Sequence, residues 1–172
     1  MSYSIRRLSR NDFGAYKAIR LEALERHPEA FLSDADSFAA LTDEEIEAAL
    51  EKLTVFGAVL PDGRLGGINA FLRAQGAKER HRGWMIQVYV RPAHRGSGMA
   101  RALCEHLIAH AGAEVLQLHL GVWSENYAAI RLYEKLGFEV YGTEPRYLLV
   151  NGRFCDEHMM VRFLDKAPGE DK

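Results

Sequence analysis

At 172 residues and 48% hydrophobic content, the chain is sized for one ordinary domain that buries a core without disulfide or metal staples. A formal charge of −2, with Lys and Arg scattered along the sequence, supplies no basic field of the kind that bulk nucleic-acid binding needs. The two cysteines, Cys104 and Cys155, make no disulfide framework, and no apolar run forms a signal core or approaches a span of about 18 residues, so the chain reads as cytoplasmic, with reduced thiols and no membrane partner.

Residues 3–8 alternate as a short opening strand, and Ser9, Asn11 and Asp12 offer capping oxygens for a helix over about 12–27 that Pro28 ends. PEAFLSDADSFAA then reads as a mobile connection. Thr42 and Glu45 form a capping box ahead of Ile46, Ala49, Leu50 and Leu53, which predicts a second, shorter helix. Two strands, 53–60 and 64–73, join at the turn Pro61-Asp62-Gly63, and a solvated connection over 74–83 follows. From Trp84 the chain alternates again, with Trp84, Ile86, Val88 and Val90 on one face and Met85, Gln87 and Tyr89 on the other.

Pro92 turns the chain into a glycine-rich step, and a 3.6-residue period then takes over through Ala100, Leu103, Cys104, Leu107, Ile108 and Ala111, stopping at Gly112. Downstream lie a strand over 115–122, a helix over 126–136 with Ser124 as cap and Gly137 as stop, and two strands, 138–150 and 154–163, about the turn Asn151-Gly152. The order β-α-α-β-β-β-α-β-α-β-β predicts a single α/β (α+β) domain over 1–164. It should hold a mixed, mostly antiparallel sheet of about seven strands with helices on both faces and one parallel pair about the crossover helix. Residues 165–172 read as a polar tail.

A strand, a glycine loop and a helix start aim several backbone N–H groups at one place, where the helix dipole adds about half a positive charge. The loop Arg95-Gly96-Ser97-Gly98-Met99-Ala100 is thus a candidate diphosphate cradle, in which a side chain at Gly96 or Gly98 would hold the ligand off the donors. Neither the P-loop nor the dinucleotide pattern is present. The pattern R-x-x-G-x-A, carried by Arg95, Gly98 and Ala100 after a strand ending in VYV, resembles the acyl-CoA motif of the GNAT family of N-acetyltransferases. NYAAIRLYEKLGF, residues 126–138, is similar to that family's Asn-x-x-Ala-x-x-x-Tyr-x-x-x-Gly-Phe segment. Both motifs occur in family order.

The resemblance implies transfer of an acetyl group from acetyl-CoA to a primary amine by direct attack in a ternary complex, with no metal. Val88, Tyr89 and Val90 match the positions whose main chain pairs with pantetheine where two strands splay, and a main-chain N–H there should meet the thioester oxygen. Asn126 matches the pantetheine contact. Tyr133, two helical turns on, matches the acid that protonates the departing thiolate. Ribosomal-protein acetyltransferases of the family carry a glutamate five residues before the asparagine, where this chain has Gly121 in LHLGVW.

The C-terminal run GTEPRYLLVNGRFCDEHMM is more similar to bacterial members that acetylate free amino acids or small amines, including the phosphinothricin type. Glu22, Asp156, Glu157 and His158 are candidate bases. Arg20, Arg146 and Arg153 are candidate clamps for an acceptor carboxylate, and Trp123 is a candidate wall of the acyl pocket. His106 and His110, although spaced i, i+4, lack a third ligand and read as surface. The expected function is a small-amine or amino-acid N-acetyltransferase. Its alternatives are a protein acetyltransferase for lysine or an N-terminus, with a wide peptide groove, and a non-catalytic acyl-CoA-binding sensor. A paired hairpin edge could make a homodimer, although nothing in the sequence requires one.

Overall fold

The protein is described over residues 2–165 by a computed structural model, so the expected tail lies outside the described residues except for Asp165. Its strands are β1 (Ser4–Arg7), β2 (Thr54–Val59), β3 (Leu65–Arg73), β4 (Arg82–Val90), β5 (Gln117–Trp123), β6 (Glu139–Val150) and β7 (Arg153–Phe163). They form one seven-stranded sheet in the order β1-β2-β3-β4-β5-β7-β6. Only β4 and β5 run parallel. The crossover between them is α4 (Met99–Gly112), as a parallel pair requires.

On one face of the sheet, α1 (Phe13–Arg26) and α3 (Asp43–Lys52) bury Ile19, Ala23, Ile46 and Leu50 against Val55, Ile68 and Ala70. On the other, α4 buries Met99, Leu103, Leu107 and Ala111, and α5 (Tyr127–Lys135) adds Tyr133 over Leu120, Val122 and Met160. The predicted stripe of α4 is therefore the buried one. Each large side chain so enclosed contributes about 1.5–3 kcal/mol from removed apolar surface. Among the described residues no helix is long and apolar enough to cross a membrane.

Three local expectations fail for identifiable reasons. The connection after α1 contains a short helix, α2 (Ala35–Ala39), because the Asp34 carboxylate accepts from Ser37 N at 2.8 Å. The regular alternation of β4 breaks at Gln87, whose φ is +57°, and the register with β3 slips between Ile68 and Ala70. This bulge changes the phase, so that Ile86 and Tyr89 pack on the α1 face while Met85, Val88 and Val90 pack on the α4 face. β6 keeps its expected extent, with a register slip between Glu144 and Leu148, where Pro145 cannot donate and Arg146, at φ +56°, gives its N–H to the Asp156 carboxylate at 2.8 Å. The helix cap also moves: Asn126, not Ser124, caps α5.

The parallel pairing of β4 and β5 covers only Arg82–Trp84 against Gln117–His119. His119 closes this rung beneath the Trp84 ring, with centroids 5.0 Å apart. Burial, then Arg82 and His81, hold its imidazole down at about 4. The folded state therefore binds fewer protons than the unfolded state between pH 6.5 and 4, and stability falls as pH drops through that window. Urea midpoints of His119→Gln measured across it are expected to show a shallower pH slope than wild type.

Candidate active site

Beyond the Trp84–His119 rung the sheet divides. β4 remains bonded to β3 as far as Val90, and β5 to β7 as far as Trp123, so the facing edges of β4 and β5 carry main-chain groups with no strand partner. A groove of about 650 Å³ occupies this fork and reaches the start of α4. Val88, Tyr89 and Val90 line it with their unpaired edge.

At its far end, Gly96 and Gly98 have φ of +73° and +85°. A Cβ at either would meet nothing within 4 Å, so both backbones face open space. The amides of residues 96–101 have no backbone acceptor, and the first bond of α4 is Ala102 N to Gly98 O at 3.0 Å. Unpaired donors at a helix start suit an anion. Arg95 holds the loop, donating through Nε to Val90 O at 3.1 Å while its guanidinium lies over the Tyr89 ring. Ser97 is the one predicted cofactor residue that does not line the groove, and its hydroxyl donates to His94 O at 2.6 Å.

The other wall is α5. Asn126 spends its carboxamide oxygen on Ala129 N, at 3.3 Å, which leaves its amide hydrogens for the groove it lines. Tyr133 is 6% exposed, and its ring meets that of Phe138 edge-on at 6.0 Å. Gly137, at φ +83°, lets Phe138 N return to Tyr133 O at 3.0 Å, a helix stop that fixes the tyrosine backbone. Burial, with a smaller contribution from Cys104, pushes the phenol well above its ordinary range, so it stays protonated at neutral pH.

A second cavity, of about 400 Å³, adjoins the groove and shares Phe31, Val88, Trp123, Asn126 and Tyr133 with it. Its lining also includes Arg20, Glu144, Tyr147 and Glu157. Arg20 is 4% exposed, its Nη1 has no partner, and its guanidinium lies 4.7 Å from the centre of the Phe31 ring. A buried cationic donor left open in this way fits an anionic group from outside the chain. The Trp123 indole N–H is likewise buried and unpartnered.

A family model for the acetyltransferase (GNAT) family matches residues 15–138. The chain belongs to this family. Over 99% of both chains it superposes on yncA of Salmonella typhimurium, a structure solved with its cofactor acetyl-CoA, with a TM-score of 0.83 and 27% identity. This GNAT chain is also 39% identical over 87 residues to an L-methionine sulfoximine/L-methionine sulfone acetyltransferase of Salmonella typhimurium, covering 49% of this chain and 50% of that one. To the L-amino acid N-acetyltransferase AaaT of Escherichia coli it is 36% identical over 70 residues, 40% and 43% of the two chains. It thus spans about half the length of the curated relatives it matches.

In this GNAT chain the four candidate bases have different surroundings. Glu22 accepts from the Tyr89 hydroxyl at 2.9 Å and pairs with Arg91 Nε at 3.0 Å. Asp156 is committed to the β6 bulge, and His158 Nδ1 lies 2.8 Å from the Thr143 hydroxyl. Glu157 alone of the four lines the second cavity. Arg146 sits over Phe154, and Arg153 pairs with Glu125, both outside that lining. His106 and His110 pack edge-on against Phe56, at 4.8 and 5.4 Å, so they are ring contacts as well as surface. No group of three or more metal-ligating side chains occurs among the described residues.

Sequence reasoning passed over Phe31, which walls both cavities. No local signal set it apart, since the same connection also holds Leu32 and Phe38.

Proposed function

We propose that this GNAT chain is an acetyl-CoA-dependent N-acetyltransferase whose acceptor is a small primary amine bearing a carboxylate, an amino acid or a close analogue. The observation that carries this reading is the meeting of the two cavities at Tyr133 and Asn126. A thioester laid along the fork and an amine in the second cavity would be brought together there, as direct attack in a ternary complex requires.

In this reading the amides of the α4 start hold the diphosphate, and the free edge of β4 pairs with pantetheine. The thioester oxygen, which gains charge as the amine nitrogen bonds to its carbon, takes a main-chain N–H of residues 88–90. The C–S bond then breaks, and Tyr133 gives its proton to the sulfur. Arg20 receives the acceptor's carboxylate. A cavity of about 400 Å³ supports a small acceptor over a peptide. The named activities of the matched relatives, on methionine sulfoximine and on L-amino acids, support an amino-acid class.

The test is CoA-thiol release from acetyl-CoA against free amino acids, their decarboxylated amines, polyamines and short peptides. Amino acids are expected to turn over at the lowest KM, with their decarboxylated amines turning over at a higher one and peptides not at all. Silence across the panel, with acetyl-CoA binding retained, would leave a sensor in place of an enzyme. Arg20→Met keeps the buried stem and removes the charge-assisted hydrogen bonds, worth about 1.5–3 kcal/mol. The expected result is a KM about 10- to 100-fold higher for amino acids and unchanged for the decarboxylated amines.

A further inference from the structure

We infer that Glu157 is the general base of this site, reaching the acceptor amine from β7 through the space that Gly121 leaves open on β5. The inference rests on the acetyltransferase reading above and adds to it the residue that prepares the nucleophile.

The geometry begins with a register. Gly121 pairs with Met159 and Trp123 with Glu157, so the Glu157 backbone lies two residues along β7 from Gly121. The Glu157 side chain crosses back over the glycine: a Cβ at 121 would lie 2.8 Å from Oε2 and closer still to Oε1 and Cδ. Any larger residue at 121 would expel the carboxylate. No acidic side chain reaches the cavity from β5 itself, whose contribution there is Gly121, Val122 and Trp123.

Glu157 is half-buried and lines the same cavity as Tyr133 and Asn126, where the amine and thioester would meet. The charged and titratable groups facing that cavity are Glu144 and Tyr147 from β6, Arg20 from α1 and Tyr133 from α5. Glu144 is the cross-strand partner of Glu157. Neither carboxylate is bridged to Arg20, whose Nη1 is unpartnered. Burial, then repulsion from Glu144, push Glu157 up to about 7, which suits a base working near neutral pH.

The protons balance. An ammonium acceptor gives one proton to the Glu157 carboxylate, and the neutral amine attacks the thioester carbon. As the adduct collapses the C–S bond breaks, the sulfur takes the proton of Tyr133, and the second proton lost by the nitrogen restores the phenol. One proton per turnover reaches solvent from Glu157. Without a base, an amine of pKa about 8 is only about one-tenth neutral at pH 7, and a lysine-like amine far less.

Glu157→Gln, assayed for thiol release from pH 6 to 10 beside wild type, tests this. Thermal unfolding and acetyl-CoA binding are followed in parallel. The expected loss in kcat/KM at pH 7 is about tenfold for an amine of pKa about 8 and up to about 10³-fold for a lysine-like amine. Wild type should level off above pH 7, whereas the variant should climb about tenfold per pH unit until the amine's own pKa, converging on wild type. Gly121→Ala, which displaces the carboxylate without removing it, should show the same steep limb. A loss of equal size at every pH, or activity within threefold of wild type, overturns the base and leaves the acetyltransferase standing. Wild type that releases no thiol with any acceptor overturns both.

Discussion

Tyr133→Phe is expected to lower kcat by about 10²- to 10⁴-fold while leaving acetyl-CoA affinity and thermal stability nearly unchanged. The substitution keeps the ring against Phe138 and removes one hydroxyl. A buried phenol held above its ordinary range looks at first like a poor donor to a thiolate, whose solution pKa is about 8.5. The same burial keeps the proton on the phenol until a thiolate, a far stronger base than the thioester it came from, forms beside it. Stopped assays of thiol release under saturating acetyl-CoA measure the loss. Full retention of kcat would reduce Tyr133 to a packing residue.

Gly98→Val is expected to weaken acetyl-CoA binding by about 10- to 10³-fold, the loss of one or two charge-assisted hydrogen bonds. At φ +85° a β-branched residue forces the loop out of the left-handed region or strains it by about 1–3 kcal/mol. The protein itself offers the new side chain no obstacle, because nothing lies within 4 Å of the Cβ position. In the proposed reading, what it obstructs is the diphosphate. Gly112→Ala is the control, since that position is equally open yet lies at the far end of α4. Its acetyl-CoA affinity, read by calorimetry, should match wild type. Equal losses in both variants would place the diphosphate elsewhere.

Much of the frame was legible because local rules and tertiary packing agreed. The stripe through Leu103, Cys104, Leu107 and Ile108 has one solution, a helix with that face buried. Asn151-Gly152, at φ +49° and +77°, is a hairpin turn by residue type alone. Gly98, Asn126 and Tyr133 were singled out by two motifs, and their side chains or backbones line one groove. The failures were of another kind. Alternation in β4 was lost because a bulge at Gln87 inserts a residue that no period-two pattern announces, and its side chain is retained by the Tyr16 hydroxyl from α1, 71 positions away. Phe31 was invisible as a site residue because its neighbours in space, Val88 and Trp123, are remote in sequence.

The sequence by itself determined the seven strands, the four longer helices, their order and the two motifs whose residues line one groove, since periodicity, caps and glycine turns act within a few residues. Only the tertiary structure decided which polar groups share a cavity. It committed Glu22 to Tyr89 and Arg91 and Asp156 to a bulge, and it left Arg20 and Glu157 facing the space beside Tyr133. The reason is physical: a carboxylate's role depends on burial and on which cations and donors reach it, and those partners come from strands and helices distant in the chain.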